Sequence, residues 1–354
     1  MRFVSYAIAA AVVPASLVMA IVVGGPWLLL PPALLFVIVP SLDHLAPIDR
    51  QNPDDAAPPH SLAWRLLVRL WVPVQLALLI WGFARVVDSD ASLWQRILLV
   101  TDLGILSGAV GITYAHELMH RSARLDRALA EVLMASVGYT WFCVEHVSGH
   151  HRRVATPDDP ATSRLGETLY AFLPRTILGG LRSAWQLEGQ RCARRKIGTF
   201  DLRNRRTRYA LGLVALQFAV VAAFGPVGWL VWAGHAIVAI LLLETINYLE
   251  HYGLQRAVVG ERDGTPVYER VQPHHSWNSG HAVSNRFLAN LARHSDHHAN
   301  ASRPWELLRH FEDVPQLPTG YGGMVLLTVL PPLWFRVMDP RVARARAALP
   351  IAAS

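Results

Sequence analysis

The sequence predicts an all-α, polytopic membrane protein with about six transmembrane helices and a histidine-rich helical cap on the cytosolic side. Three observations predict it. Apolar residues fill 52% of the 354 positions and charged residues only 17%, too apolar a balance for an ordinary soluble domain. Mean hydropathy is +0.27. The apolar residues fall in continuous runs of about 20, each long enough as a helix to cross a hydrocarbon core of ~30 Å, while strand signals are sparse.

The first span is expected near Val4–Val23 and the second, after a Gly-Gly-Pro break, near Trp27–Leu42. Pro, Asp and Asn in Asp43–Ser61 mark a loop. A third span follows at Trp64–Val87, and a fourth at Leu93–Tyr114 runs directly into the motif HELMH at 116–120. Apolar residues in Ala128–Val144, bracketed by charge, suggest a half-buried or re-entrant helix. The last two spans, Tyr209–Phe224 and Val227–Tyr248, are split by Gly-Pro. Pro and Gly in 313–332 suggest a loop leading to a short apolar segment against the membrane.

Arginine sets the topology. Residues 115–208 carry sixteen Lys and Arg, including ARRK at 193–196 and RNRRTR at 203–208, whereas the loops at 24–26 and 88–92 carry none. By the positive-inside rule, both termini and the stretches 43–61, 115–208 and 249–354 face the cytosol. This divides the chain into four spans (1–114), a histidine-rich cytosolic or half-buried segment (115–208), two spans (209–248) and a C-terminal cytosolic segment that completes the site (249–354). Sidedness accounts for the net charge of +7 without a nucleic-acid partner. The two cysteines, Cys143 and Cys192, form no C-x-x-C pair, so the chain's thiolates cannot hold an iron–sulfur or rubredoxin-type centre.

Sixteen histidines are present, and nine fall in four clusters on the expected cytosolic side: His116 and His120; His146, His150 and His151; His251; and His294, His297 and His298. Spacings of three or four place imidazoles on one helical face, and neutral imidazole suits iron, zinc, copper or nickel. One zinc takes three or four protein ligands. Nine candidates therefore suit two adjacent metals. HELMH alone would read as a zinc peptidase with Glu117 as base, and that remains the alternative of another class. A metal transporter would instead spread its ligands along a path through the spans. The isolated His44, His60, His235 and His310 read as packing or interfacial residues.

The clustered stretches carry a resemblance. HELMHR at 116, EHVSGHHRRVATPDDPATSRLGE at 145, NYLEHYGL at 247, HSWNS at 275 and RHSDHHAN at 293 resemble the membrane-bound alkane 1-monooxygenases, which stand with fatty acid desaturases and xylene monooxygenases among histidine-rich di-iron membrane enzymes. Arg121 and Ala301 depart from the family's usual lysine and proline, and neither alters a candidate ligand. The resemblance implies two non-haem iron ions, O2 as co-substrate, terminal hydroxylation of an apolar hydrocarbon drawn from membrane lipid, and a bacterial inner membrane. It also implies electrons from a rubredoxin fed by an NADH-dependent reductase, for which the arginines at 191–208 offer a docking surface. A xylene- or cymene-type methyl monooxygenase and a desaturase are alternatives on the same scaffold. The last 150 residues contain no cysteine, so no fused rubredoxin is expected there.

Carboxylates adjoin the candidate ligands. Glu117, Glu145, Glu250 and Asp296 are expected to orient imidazoles or move protons without ligating metal. Glu244 and Asp102 lie inside spans, seven and fourteen residues before His251 and His116, where acids are functional by default. Asn247, His275 and Asn278 are further candidates for orienting a ligand. Trp64, Trp71 and Trp81 are expected along the substrate route.

Overall fold

The computed structural model describes residues 2–54, 62–88 and 90–348. Part of the expected loop at 43–61, the histidine at 60, and position 89 lie outside the described residues. The described chain is helical apart from one small hairpin.

Five helical stretches are long and apolar enough to cross a membrane: α1 (Arg2–Val23), α2 (Gly25–Leu45), α3 (Leu62–Asp88), α4 (Leu93–Met119) and, after the shorter helices described next, α8 (Arg205–His251). Between them lie α5 (Arg124–Ser136), an irregular helical segment α6 at 142–153, and α7 (Leu169–Arg194). The 47-residue α8 breaks at Gly225, whose φ of 66° and ψ of −171° are open to glycine. Pro226 then starts the second arm with its fixed φ and no N–H to leave unpaired. Leu213 and Trp232, on opposite arms, both border Gly138, so the arms run back along each other. The fifth and sixth expected spans are therefore the two limbs of one helical hairpin.

The helices approach closely through small and polar residues. A Cβ on Gly108 would stand 2.8 Å from the Ala239 Cα and 3.0 Å from its carbonyl oxygen, so α4 meets the second arm of α8 backbone to backbone. Gly108 lies in a π-helical turn, Leu106–Gly111. Gln75 of α3 faces the same turn. It accepts from Trp71 Nε1 (2.8 Å) and donates to Ser107 and Ser136 (3.4 Å each), so its amide is satisfied away from water.

The expected re-entrant helix at 128–144 is divided. Helix α5 ends at Ser136, Gly138 takes φ 68°, and α6 begins at Phe142. An antiparallel hairpin, β1 (Val258–Arg262) and β2 (Thr265–Tyr268), follows α8. Its turn, Asp263-Gly264, has positive φ at both positions, the pattern of a two-residue type I′ turn. Helices α9 (Ala282–Phe287), α10 (His294–Ala299), α11 (Tyr321–Thr328) and α12 (Pro331–Ala347) complete the chain.

Buried polar bonds tie this C-terminal part to the first spans. Arg293, fully buried, donates to the carbonyls of Asp49, Gln51 and Leu308 and pairs with Asp49 at 3.3 Å. Asp43 accepts from the Val283 and Ser284 amides, and the Tyr6 hydroxyl donates to Asn290 (2.5 Å). Helices α9 and α10 are thereby held against the ends of α1 and α2.

Gly108→Ala should push α4 from α8 and lower the thermal midpoint in detergent by several degrees, an overpacking cost of about 1–3 kcal/mol. Gly212→Ala, also within a helix but where a Cβ meets nothing within 4 Å, should not lower the midpoint and should raise it slightly.

Candidate metal centre

All nine clustered histidines converge at one end of the spans, and they divide into two groups. His116, His120, His146, His151 and His297 place ligand nitrogens within 4.8 Å of one another. His150, His251 and His298 form a second group, and His294 joins it through His251, Nε2 to Nε2 at 3.3 Å. His150 and His251 rings lie 4.8 Å apart, as do those of His150 and His298.

The division does not follow α-helical spacing throughout. His116 with His120, and His294 with His298, share a group at i and i+4. His146 shares its group with His151, not His150. Residues His146–His150 form a π-helical turn, in which the repeat is i to i+5. The widened turn brings His151 round to His146 and sends His150 to the other group.

The donor atoms fit cations. His146 Nε2 lies 3.0 Å from Nε2 of both His120 and His151, and His297 Nε2 lies 3.0 Å from that of His151. Nε2 of His116, His150 and His298 are buried without a hydrogen-bond partner among the described residues. Such a convergence of lone pairs is met by a metal ion, whose ligand distance of about 2.1 Å allows nitrogens roughly 4 Å apart. Burial, with neighbouring imidazoles, lowers the pKa of His120 to about 3 and takes His146, His151, His294, His297 and His298 well below the usual value. These rings are neutral near pH 7, the form that binds metal.

Asp159 supplies the clearest outer contact. Its Oδ2 accepts from His150 Nδ1 at 2.8 Å and from the Thr162 hydroxyl at 2.6 Å. Burial raises its pKa, but these hydrogen bonds and the His150 charge interaction outweigh burial and leave it below the ordinary range. This contact fixes the His150 tautomer and points Nε2 at the group. The stretch TPDDPATS contains Asp159, yet nothing in the sequence singles it out. Nine positions of separation hide the pairing.

Other expected residues are placed differently. Glu250 Oε2 meets His294 Nε2 at 3.1 Å and accepts from Tyr321 at 2.7 Å through Oε1. It stands on the metal side of the second group, not behind its imidazoles. Glu117 is paired with Arg121, and Asp296 is held by Arg303 (2.6 Å), Asn300 and the Arg309 amide; these bonds brace loops. Glu145 accepts from Arg153 at 2.6 Å through Oε1, and its buried Oε2 has no hydrogen-bond partner among the described residues. Glu244 accepts from Tyr139 (2.7 Å), Thr176 (2.8 Å) and Asn247 (3.1 Å). Together with Glu145, His146 and His150 it lines a small cavity of about 300 Å³.

His275 lies outside both groups, with Nε2 on Glu269 at 3.1 Å and Nδ1 accepting from the Gln272 amide. Asn278 is bonded to His310 and Gln316. Asp102 is buried, and neither oxygen has a hydrogen-bond partner among the described residues. Of the isolated histidines, His44 is exposed, while His235 Nδ1 is bonded to the Trp232 carbonyl. Cys143 and Cys192 are both free and buried.

An apolar cleft of about 610 Å³ lies between α2, α4, the end of α8, α9 and α11, with Phe36, Ala109, Thr113, Ile246, Leu291 and Val325 among its walls. Thr113, Ile246 and Leu291 precede His116, His251 and His294 by three to five residues. The expected tryptophans do not line it. Trp64 stacks edgewise with Tyr6 and Trp305, Trp71 is bonded to Gln75, and Trp81 lies on the outer surface, 36% exposed.

Fold and site together define a helical membrane protein that gathers histidines into two adjoining metal-binding groups at one end of its spans. The fatty acid desaturase family pattern matches residues 92–327. The chain is 40% identical to alkane 1-monooxygenase 2 of Pseudomonas aeruginosa over 90% of this chain and 84% of that protein. It is 39% identical to alkane 1-monooxygenase of Acinetobacter baylyi over 88% and 76%. With the xylene/toluene monooxygenase hydroxylase component of Pseudomonas putida it shares 30% identity over 68% and 62%. The chain belongs to the alkane 1-monooxygenase branch of the fatty acid desaturase family.

Two outcomes are expected. Asp159→Ala should weaken metal retention in the second group by about 10–100-fold, read by metal analysis during chelator titration, with the helical circular dichroism unchanged. The metal-free protein should lose stability as pH falls below about 6.5. Between that value and the depressed folded values the unfolded chain binds protons that the folded chain does not. Thermal melts from pH 8 to pH 4.5 read this directly, and a flat profile would contradict it.

Proposed function

We propose that this chain hydroxylates the terminal methyl group of alkanes, using O2, two irons held by the nine histidines, and electrons from a rubredoxin. The observation that carries this reading is a pair of adjoining all-histidine groups together with an apolar cleft whose wall residues Thr113, Ile246 and Leu291 stand three to five positions before His116, His251 and His294 in the chain. His116, His120, His146, His151 and His297 would hold one iron. His150, His251, His294 and His298 would hold the other, with Glu250 beside it. Iron bound there supplies the activation of O2 needed to attack an unactivated C–H bond.

The chain's own residues bind and orient. The cleft takes an apolar chain from the bilayer, and its wall presents no charged side chain, so water gains little by entering with the substrate. Entry along the cleft towards Thr113, Ile246 and Leu291 would bring the terminal carbon of such a chain towards the histidines first. Asp159 orients His150, and Tyr321 orients Glu250. A zinc peptidase is disfavoured because Glu117, its required base, is engaged by Arg121. A methylarene substrate is the second reading, supported by the likeness to the xylene/toluene enzyme component.

The arginine distribution supports a metal centre on the cytosolic side of the bacterial inner membrane. The arginines of 191–208 are less available to a donor protein than the sequence suggests. Arg191 and Arg205 share Glu188, Arg203 pairs with Asp201, and Arg208 pairs with Glu131. His120 and His151 are the two ligand candidates that are not fully buried, and the exposed Arg124 and Arg152 adjoin them in the chain. An acidic rubredoxin is better placed there.

Purified protein should contain two irons per chain and convert octane or hexadecane to the 1-alkanol. A single zinc, an alkene product or a preference for toluene would each replace this reading by a named rival. Val325→Trp, filling the cleft, should cut turnover on hexadecane by roughly a hundredfold through misplacement of the reacting carbon while leaving iron content intact. Arg124→Glu with Arg152→Glu should slow rubredoxin-dependent turnover and flatten its salt dependence, whereas Arg203→Glu should not.

A further inference from the structure

We propose that the cleft between α7 and the start of α8 is a binding site for an anionic phospholipid, its phosphodiester held at Arg206 and its acyl chain laid along the neighbouring apolar wall. The proposal does not depend on the assigned reaction.

The position of α7 is the first argument. Its 26 residues carry too many charges to cross a membrane, yet Tyr170, Leu178, Leu181 and Trp185 are 57%, 66%, 39% and 57% exposed. Their spacings of eight, three and four place them on one side of the helix. The opposite side packs Phe172 on Tyr248 and bonds Thr176 to Glu244. Past the helix, Phe200 and Leu202 are 91% and 62% exposed. Immediately afterwards α8 enters the membrane with Leu211, Val214 and Phe218 exposed along it. An amphipathic helix with outward Trp, Tyr and Leu beside the start of a span lies in the headgroup plane.

The cleft is the second argument. A space of about 500 Å³, part of it open to the surroundings, lies between this helix and the first turns of α8. Trp141, Val144, Leu181 and Leu213 give it apolar lining, and Arg205, Arg206, Tyr209 and the buried Glu188 give it polar lining. The Arg206 guanidinium lies over the Trp185 ring, 4.9 Å from its centroid, and forms no ion pair among the described residues. Arg205 and Arg191 share the single carboxylate of Glu188, so the polar lining keeps an excess of positive charge. A planar guanidinium fixed on an indole offers its N–H fork to a phosphate. Apolar and cationic lining together match one molecule, a lipid with a negatively charged headgroup.

The test uses full-length, metal-loaded protein, reconstituted with mixed phosphatidylglycerol and phosphatidylcholine and then washed in detergent. Retained lipid is counted by native mass spectrometry. The wild type should keep phosphatidylglycerol in preference to phosphatidylcholine. Arg206→Gln should lower that retention about fivefold, as expected for one basic side chain at a membrane surface, and Arg195→Gln should not. Trp185→Phe keeps an aromatic platform and should retain an intermediate amount, which preserves the test if the glutamine variant does not fold. Equal retention of the two lipids, or undiminished phosphatidylglycerol in well-folded Arg206→Gln, would overturn the proposal. So would displacement of the lipid by millimolar inorganic phosphate, which would mark a simple anion site, or by rubredoxin, which would mark a protein-docking surface.

Discussion

Everything in this molecule is arranged around the convergence of nine imidazoles, seven of them buried. Nitrogens such as Nε2 of His146, His120, His151 and His297 lie 3.0 Å from one another in successive pairs, and shared protons alone cannot satisfy so many lone pairs. In a buried setting that is costly unless a cation takes them. The polypeptide must therefore hold four separate segments in place against their own mutual repulsion. It does so with bonds remote from the imidazoles. Arg293 gathers the carbonyls of Asp49, Gln51 and Leu308, Asp43 holds the start of α9, and Asp296 closes the loop after α10 onto Arg303.

The same constraint explains the irregular turns. A regular α-helix through 146–151 would aim His146 and His150 at one point and His151 elsewhere. The π-helical turn at His146–His150 reverses that choice and lets one short segment serve both groups. Asp159 then holds His150 in its separate orientation. In α10 ordinary spacing achieves a comparable split, with His294 and His298 on one group and His297, between them in the chain, on the other.

The spans are legible in the sequence because hydropathy is a local property, and the observed helices end within a few residues of the expected boundaries. The clusters are legible because histidine pairs at helical spacing are rare in apolar surroundings unless they bind something. The assignment to groups is not, because nothing in EHVSGHH announces a π-helical turn. His275 and Asn278 sit in a motif as distinctive as the nine converging histidines, yet their bonds go to Glu269, His310 and Gln316. Sequence proximity does not separate a residue that supports the site's loops from one that touches it. The hairpin at 258–268 carries a readable Asp-Gly turn, but an expectation of uniform helix obscures it. Whether an aromatic residue in a span faces the protein or its surroundings has no sequence signature, and Trp81 lies 36% exposed on the outer surface.

The two boundaries of the metal centre differ in polarity, and this follows from where the segments enter. His120 and His151 reach the polar edge, beside Ser122, Arg124 and Arg152, and are the only two of the nine candidates not fully buried. On another side, Thr113, Ile246 and Leu291 bring the apolar cleft to within one or two helical turns of His116, His251 and His294. Helix α4 creates both boundaries, since it carries Gly108, Ala109 and Thr113 along the cleft and ends in HELMH at the polar edge. The centre is thus flanked by a polar edge at His120 and His151 and, a few positions back along three of its segments, by a cleft whose lining carries no charged side chain. A single continuous helix, α4, carries part of both, since its apolar length lines the cleft and its last turn holds His116.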